Sequence, residues 1–334
     1  MVRLGSGEYE YEVSGDEWGK LPDGWLYEQI GCVAVDSRDN LYVFTRGEHP
    51  MVVLDRDGNF LRSWGYGEFS VPHGLSIDPD DNLYAVDCLD HTVKKYTPGG
   101  KLLMTLGQPG KPTPRMSGLP FCGPTQVGVD PRDGYLYVAD GYSNARVHKY
   151  TPEGKLLFSW GEPGTRPGQF CTVHKITVDK DGLVYVADRE NQRVQVFDDT
   201  GAFLQQWVNL APATAVYADN RQSDPTIYVL ETYGGLRDNR TGLGNWTGNN
   251  LGPRVSVFKQ DGTLVGEVGD QPEGLGIGQM TMPHAICVDS RGDIYVGETP
   301  FNRFGTTFDP PRRDLRCLQK FAKVGVEEYA NAVS

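Results

Sequence analysis

Val33-Ala-Val-Asp36, Leu41-Tyr-Val-Phe44, Met51-Val-Val-Leu54, a turn at Asp57-Gly58 and Phe60-Leu-Arg-Ser-Trp-Gly65 form the stretch that decides the fold. Its runs are short, rich in Val, Leu, Tyr and Phe, and bounded by Asp, Asn or Gly, which is the pattern of four strands joined by tight turns. Working outward, the unit returns as Leu75-Ser-Ile-Asp78 with Leu83-Tyr-Ala-Val86, as Val127-Gly-Val-Asp130 with Leu136-Tyr-Val-Ala139, and as Ile176-Thr-Val-Asp179 with Val184-Tyr-Val-Ala187. Two more copies begin at Ala215-Val-Tyr-Ala-Asp219 and Ile286-Cys-Val-Asp289. A four-stranded unit of about 40 to 50 residues cannot bury both faces alone, so copies pack radially around an axis. The expected fold is all-β, a six-bladed β-propeller forming one domain over residues 1–334. The last copy is short of an outer strand, which Glu8-Tyr-Glu-Tyr-Glu-Val13 is expected to supply so that no sheet edge stays unpaired. The fifth copy carries an insertion, about residues 221–252, whose Gly, Asn and Thr content suits a loop over one face.

Composition agrees and narrows the function classes. Hydrophobic residues make up 38% of the chain and charged residues 23%, and 42 glycines with 22 prolines are scattered without period, as many short strands and turns require. The net charge of −12 argues against a nucleic-acid partner, because phosphate binding rests on Lys and Arg. No apolar run approaches the roughly 18 residues of a membrane helix, so no membrane association is expected. The first twenty residues lack the basic start and apolar stretch of a signal peptide, and cytoplasmic residence is the expectation. The six cysteines form no C-x-x-C pair and read as reduced structural residues; sequons at Asn239 and Asn245 carry little weight in that compartment.

Alignment of the copies on the aspartate ending the first strand (Asp36, Asp78, Asp130, Asp179, Asp219, Asp289) brings Gly31, His73, Thr125, His174, Thr214 and His284 into one column, five residues earlier. First strands line a propeller axis, so histidines in alternating blades stand about 120° apart around one channel mouth. Three converging imidazoles with open positions are the ligand set of a catalytic zinc or similar divalent transition metal. The other histidines, His49, His91 and His148, share no column and read as surface or loop groups, with His49 near enough to a second-strand end to line the site. Because strands alternate in direction, second-strand ends face the same mouth. That nominates Arg46, Tyr142 and Arg189, and makes Tyr142 a candidate general base whose phenol a guanidinium and a metal would lower.

Asp188-Arg-Glu-Asn-Gln-Arg193, and Asp140 with Asn144 and Arg146, resemble the NHL repeat, in which such residues serve turns and blade packing. Across about residues 31–299 the chain resembles a more particular family, the peptidyl-α-hydroxyglycine α-amidating lyases. The resemblance is carried by Arg46-Gly-Glu-His49, Pro72-His-Gly-Leu-Ser-Ile-Asp78, Asp140-Gly-Tyr142, Arg166-Pro-Gly-Gln-Phe170 with Val173-His174, and Met282-Pro-His284. It implies His73, His174 and His284 as zinc ligands and Tyr142 and Arg46 as catalytic; Arg189 and His49, by their place at second-strand ends, and Met282, just before the third histidine, are the candidate substrate-contacting residues. The substrate would be small or peptide-like, an amide nitrogen on a carbon bearing a hydroxyl, cleaved at C–N to an amide and an aldehyde such as glyoxylate. The resemblance also implies calcium between the carbonyls of Val33 and Leu75 and an aspartate after the third histidine; Ala285 stands there, which argues against calcium. Of the family's disulfides, Cys122 is matched with Ser143 opposite, and Tyr185 and Val196 replace a second pair. Competing readings are a metal-assisted hydrolase of lactone or amide type, which would activate a water, and a non-catalytic scaffold for a protein partner.

Overall fold

The computed structural model describes residues 2–15, 17–234, 252–269 and 271–325. It is a six-bladed β-propeller. The innermost strands are Ile30–Val35, Pro72–Ile77, Pro124–Val129, Val173–Val178, Ala213–Asp219 and Pro283–Val288, and they neighbour one another in a closed ring, the last returning to the first. Each is followed outward by antiparallel neighbours; in blade four these are Val184–Asp188, Arg193–Phe197 and Phe203–Trp207. Blade six is completed from the other end of the chain, where Tyr9–Val13 pairs with Leu318–Lys323 and is itself edged by Arg3–Ser6. Tyr11 and Leu4 are thereby buried against blades five and six.

The hydrophobic clusters lie between blades, which is why the second strands have no polar face: Leu83–Asp87, Leu136–Asp140 and Val184–Asp188 are buried at every position. The tyrosine of the Leu-Tyr-Val motif is fully buried in five blades, as Tyr42, Tyr84, Tyr137, Tyr185 and Tyr295. In two of them its hydroxyl donates to the aspartate ending the first strand, Tyr185 to Asp179 at 2.8 Å and Tyr295 to Asp289 at 2.9 Å. Those aspartates also accept turn amides, as Asp36 does from Arg38 and Asn40, so the motif's ends are tied together.

One irregularity recurs at the same place in all six inner strands. The register slips between Ile30 and Cys32, Pro72 and Gly74, Pro124 and Gln126, Val173 and Lys175, Ala213 and Ala215, and Pro283 and Ala285. The unpaired residue of each bulge is Gly31, His73, Thr125, His174, Thr214 or His284. A bulge breaks the alternation of side chains and re-aims the extra one.

The expected insertion at 221–252 is corrected at its start, because Thr226–Glu231 pairs with Ala213–Asp219 as an ordinary blade strand. Residues 235–251, with Asn239 and Asn245, lie outside the described residues. Among the described residues no helix is long and apolar enough to cross a membrane. All six cysteines are unpaired; Ser143 donates its amide to the Cys122 carbonyl, and Tyr185 stands opposite Val196 in register.

Candidate metal centre

The bulges bring the three histidines together. Their ligand atoms all lie within 4.8 Å of one another, and the ring centroids form a nearly equilateral triangle of 5.0, 4.7 and 4.8 Å with the planes steeply inclined. His73 and His174 are fully buried and His284 is 4% exposed. Each ring is oriented by the following blade: the Nδ1 atoms lie 2.7 Å from the Thr125 carbonyl oxygen, 2.6 Å from that of Thr214 and 2.9 Å from that of Gly31. A carbonyl can only accept, so Nδ1 carries the proton and Nε2 keeps its lone pair. The acceptors are the three non-histidine members of the same column. Their own side chains are engaged elsewhere, Thr125 Oγ1 donating to Val173 and Thr214 Oγ1 to Leu230, or absent at Gly31. A Cβ on Gly31 would come within 2.3 Å of the Pro72 carbonyl oxygen, so blade two could not pack so close against any other residue.

The loops entering the bulges are held by buried carboxylates at the second-strand ends. Asp87 accepts the amides of Ser70 and Val71 before His73, Asp188 that of Cys171 before His174, and Glu298 that of Thr281 before His284. Burial is the main reason all three histidines are held well below the ordinary imidazole range, with Lys175 next for His73 and His284 and Arg189 next for His174. A neutral imidazole with an aimed Nε2 lone pair is the form that binds a metal, and this set of three could hold one.

Tyr142 stands over the triad. Its Oη is 2.6 Å from His73 Nε2 and 3.1 Å from His174 Nε2, although the residue as a whole is 38% exposed. Gly141 makes this reach possible: a Cβ there would meet the Val173 carbonyl oxygen at 1.9 Å. Arg189 lies with its guanidinium carbon 5.9 Å from the Tyr142 ring centre and pairs with Glu190 at 2.8 Å. Arg46 donates from Nε to the Pro72 carbonyl at 3.1 Å, one residue before His73. Arg189 and Arg46 pull the Tyr142 phenol down, as expected of guanidinium groups, while burial pushes it up and, without a metal, outweighs them.

The remaining nominees are placed less centrally. Met282 precedes His284 by two residues, and its sulfur receives Thr232 Oγ1 at 3.7 Å and Arg303 Nη1 at 3.8 Å. His49 stacks on Trp25 with ring centroids 3.2 Å apart. The reading of His148 as a surface group is corrected: it is fully buried between Ser159 Oγ at 2.6 Å and Asp140 Oδ2 at 3.3 Å. That resembles a hydrolytic triad, yet Gln195 in blade four and Gln319 in blade six bond the second-strand carboxylate in the same way, which makes it blade packing.

The calcium position does not fit these residues. The Leu75 carbonyl accepts Gln126 Nε2 at 2.9 Å and the thiol of Cys32 at 3.5 Å, the Val33 carbonyl faces the same thiol at 3.8 Å, and Ala285 offers no carboxylate. Nothing in the sequence pattern singled out Lys175, which follows His174 and lies 2% exposed in the channel. The available signal was a lysine directly after a candidate ligand, at a buried position of the inner strand Val173–Val178.

A family model described as NHL repeat matches residues 170–197. Peptidyl-glycine alpha-amidating monooxygenase A of Xenopus laevis is 31% identical over 339 residues, which cover 90% of this chain and 34% of that protein. The chain thus spans about a third of the length of the amidating monooxygenases it matches. Peptidyl-alpha-hydroxyglycine alpha-amidating lyase 1 of Drosophila melanogaster is 39% identical over 196 residues, covering 54% of this chain and 36% of that protein. Among solved structures, a streptogramin B lyase superposes with a TM-score of 0.55 over 87% of this chain and 78% of that one, at 16% identity, a likeness of fold alone.

Proposed function

Because this chain belongs to the NHL-repeat propeller family of the peptidyl-α-hydroxyglycine α-amidating lyases, we propose that it is a metal-dependent carbon–nitrogen lyase acting on N-hydroxyalkyl amides. The observation that carries this reading is the Tyr142 hydroxyl 2.6 Å from one candidate ligand nitrogen and 3.1 Å from a second. A proton-transfer group set against a metal site is what cleavage of such a carbon centre needs. His73, His174 and His284 would hold the metal, zinc in the first instance, through Nε2. When bound it would supply Lewis acidity toward a substrate oxygen.

The chain's own residues account for the proton traffic. Once ionised, the state a bound metal and the two guanidiniums would favour, Tyr142 Oη takes the proton of the substrate hydroxyl; the oxygen's electron pair becomes the second bond of a carbonyl; and the C–N bond breaks. The departing nitrogen receives a proton, and Tyr142 is the group positioned to return it. The products are an amide and an aldehyde, glyoxylate if the carbon also bears a carboxylate. No electrons leave or enter the substrate, so no redox partner is required. Arg46 and Arg189 place positive charge beside the phenol and favour its ionised form during transfer.

The test is release of aldehyde from an α-hydroxyglycine amide, followed by coupled reduction, in wild type and Tyr142→Phe. Release by wild type and its loss in the variant support the reading. Hydrolysis of a lactone or amide with no aldehyde formed would favour the hydrolase, in which the same site activates water. Absence of both activities with no metal retained on gentle purification would return the protein to the scaffold class.

A further inference from the structure

We propose that Lys175 is a tethered cation occupying the channel beneath the three histidines, so that this protein organises its channel without a calcium ion. Lys175 Nζ lies 3.1 Å from the Gly31 carbonyl oxygen, 2.5 Å from that of His73 and 3.4 Å from Gln126 Oε1. Three acceptors from three successive blades match the three hydrogens of an ammonium; a neutral amine has one donor fewer. Converging carbonyl oxygens are also how proteins hold a small metal cation, and here the positive charge arrives on a side chain.

The neighbouring groups are arranged for an internal cation. Gln126 divides its amide, with Oε1 toward Lys175 and Nε2 donating to the Leu75 carbonyl and to Ser76 Oγ. That uses the carbonyl a calcium would require, and Ala285 removes the carboxylate that would balance the ion. Of the carboxylates at the channel's far end, Asp36 and Asp78 accept turn amides from Arg38, Asn40, Asp80 and Asn82, Asp39 and Asp81 accept from Ser290 and Ser37, and Asp219 accepts from Arg221. A divalent ion beside Lys175 would meet a positive charge, and the carboxylates lining the channel among the described residues are already engaged.

The consequence for the metal centre is direct. The Gly31 oxygen that accepts Lys175 also accepts His284 Nδ1, and the His73 oxygen belongs to a ligand residue itself. Lys175 is therefore a positioning residue for two of the three imidazoles. This inference stands on the channel geometry and holds whichever reaction the site performs.

The experiment uses the whole chain loaded with Co2+ at the histidines, reading melting temperature, Co2+ affinity and the visible absorption of the bound ion. Wild type is expected to melt at the same temperature in calcium-depleted buffer as in millimolar calcium. Lys175→Ala is expected to melt lower, to bind Co2+ about tenfold or more weakly with an altered spectrum, and to recover in part with methylammonium, which can enter the vacated space. A calcium-dependent rise of about 5 °C or more in wild type would overturn the proposal. So would Lys175→Ala with unchanged Co2+ affinity and spectrum, or a defect that methylammonium leaves untouched. Should Lys175→Ala fail to fold, Lys175→Met keeps most of the stem while removing the donors, and the calcium comparison on wild type decides the question alone.

Discussion

His284 points its Nδ1 at the carbonyl oxygen of Gly31, 2.9 Å away, and Gly31 is the residue that occupies the histidine's own position in the next blade. The same relation joins His73 to Thr125 and His174 to Thr214. Around the ring, blades alternate between supplying an imidazole and supplying the carbonyl that orients one. The threefold site is thus built from a sixfold repeat, because a bulged strand end offers both a side chain and a backbone acceptor.

Single replacement of His73, His174 or His284 by Ala should remove a ligand and leave the blade intact. The expected loss of affinity for Zn2+ or Co2+ exceeds the roughly 10- to 100-fold that loss of an outer partner costs. Competition with a chromophoric chelator, with elemental analysis of the purified variants, measures it. Full metal occupancy in any one variant would mean that residue is not a ligand.

Tyr142→Phe deletes the oxygen 2.6 Å from His73 Nε2 and keeps the ring. Turnover on an α-hydroxyglycine amide should fall about 10²- to 10⁴-fold, the usual contribution of a placed acid–base group, while metal content and melting temperature stay near wild type. A variant that keeps its turnover would take the proton role away from this residue.

Arg46 is anchored to the Pro72 carbonyl through Nε at 3.1 Å, which leaves the rest of the guanidinium for the site. Arg46→Lys keeps the charge but not the planar fork, so it should lose activity and recover only part of what Arg46→Ala loses. Steady-state kinetics on both variants separate charge from geometry; equal activities would assign the residue to neither.

Ring closure by the N-terminal strand makes a stability prediction remote from the site. Tyr11 is fully buried and pairs in register with Lys323, so Tyr11→Ala should cost about 3–5 kcal/mol, as deletion of a large buried aromatic does. Urea unfolding measures the cost, and metal content of the folded fraction should be unchanged. A cost below about 1 kcal/mol would show that this strand is not required for closure.

Much of the architecture was legible in the chain itself. The Leu-Tyr-Val runs with their Asp and Gly boundaries gave four strands per copy, and alignment on the terminal aspartates put His73, His174 and His284 in one column. That worked because strand pattern and turn chemistry are local, and repetition multiplies a weak local signal. The same reasoning erred where neighbours outvoted the local pattern: His148 looked like a surface group but is buried against Asp140 and Ser159, and the insertion was begun ahead of Thr226–Glu231, a blade strand.

By itself, then, the sequence determined the number of blades, the all-β class and the spacing that sets three imidazoles around an axis. Only the tertiary structure decided that the column falls on a bulge in every blade, that the next blade's carbonyl orients each ring, that Tyr142 reaches over the triad, and that Lys175 fills the channel below. The reason is physical. Strand and turn preferences act between residues close in the chain, whereas these contacts join residues from 32 positions apart, as Tyr142 and His174 are, to 253 apart, as His284 and Gly31 are, and such separations become neighbours only once the ring has closed.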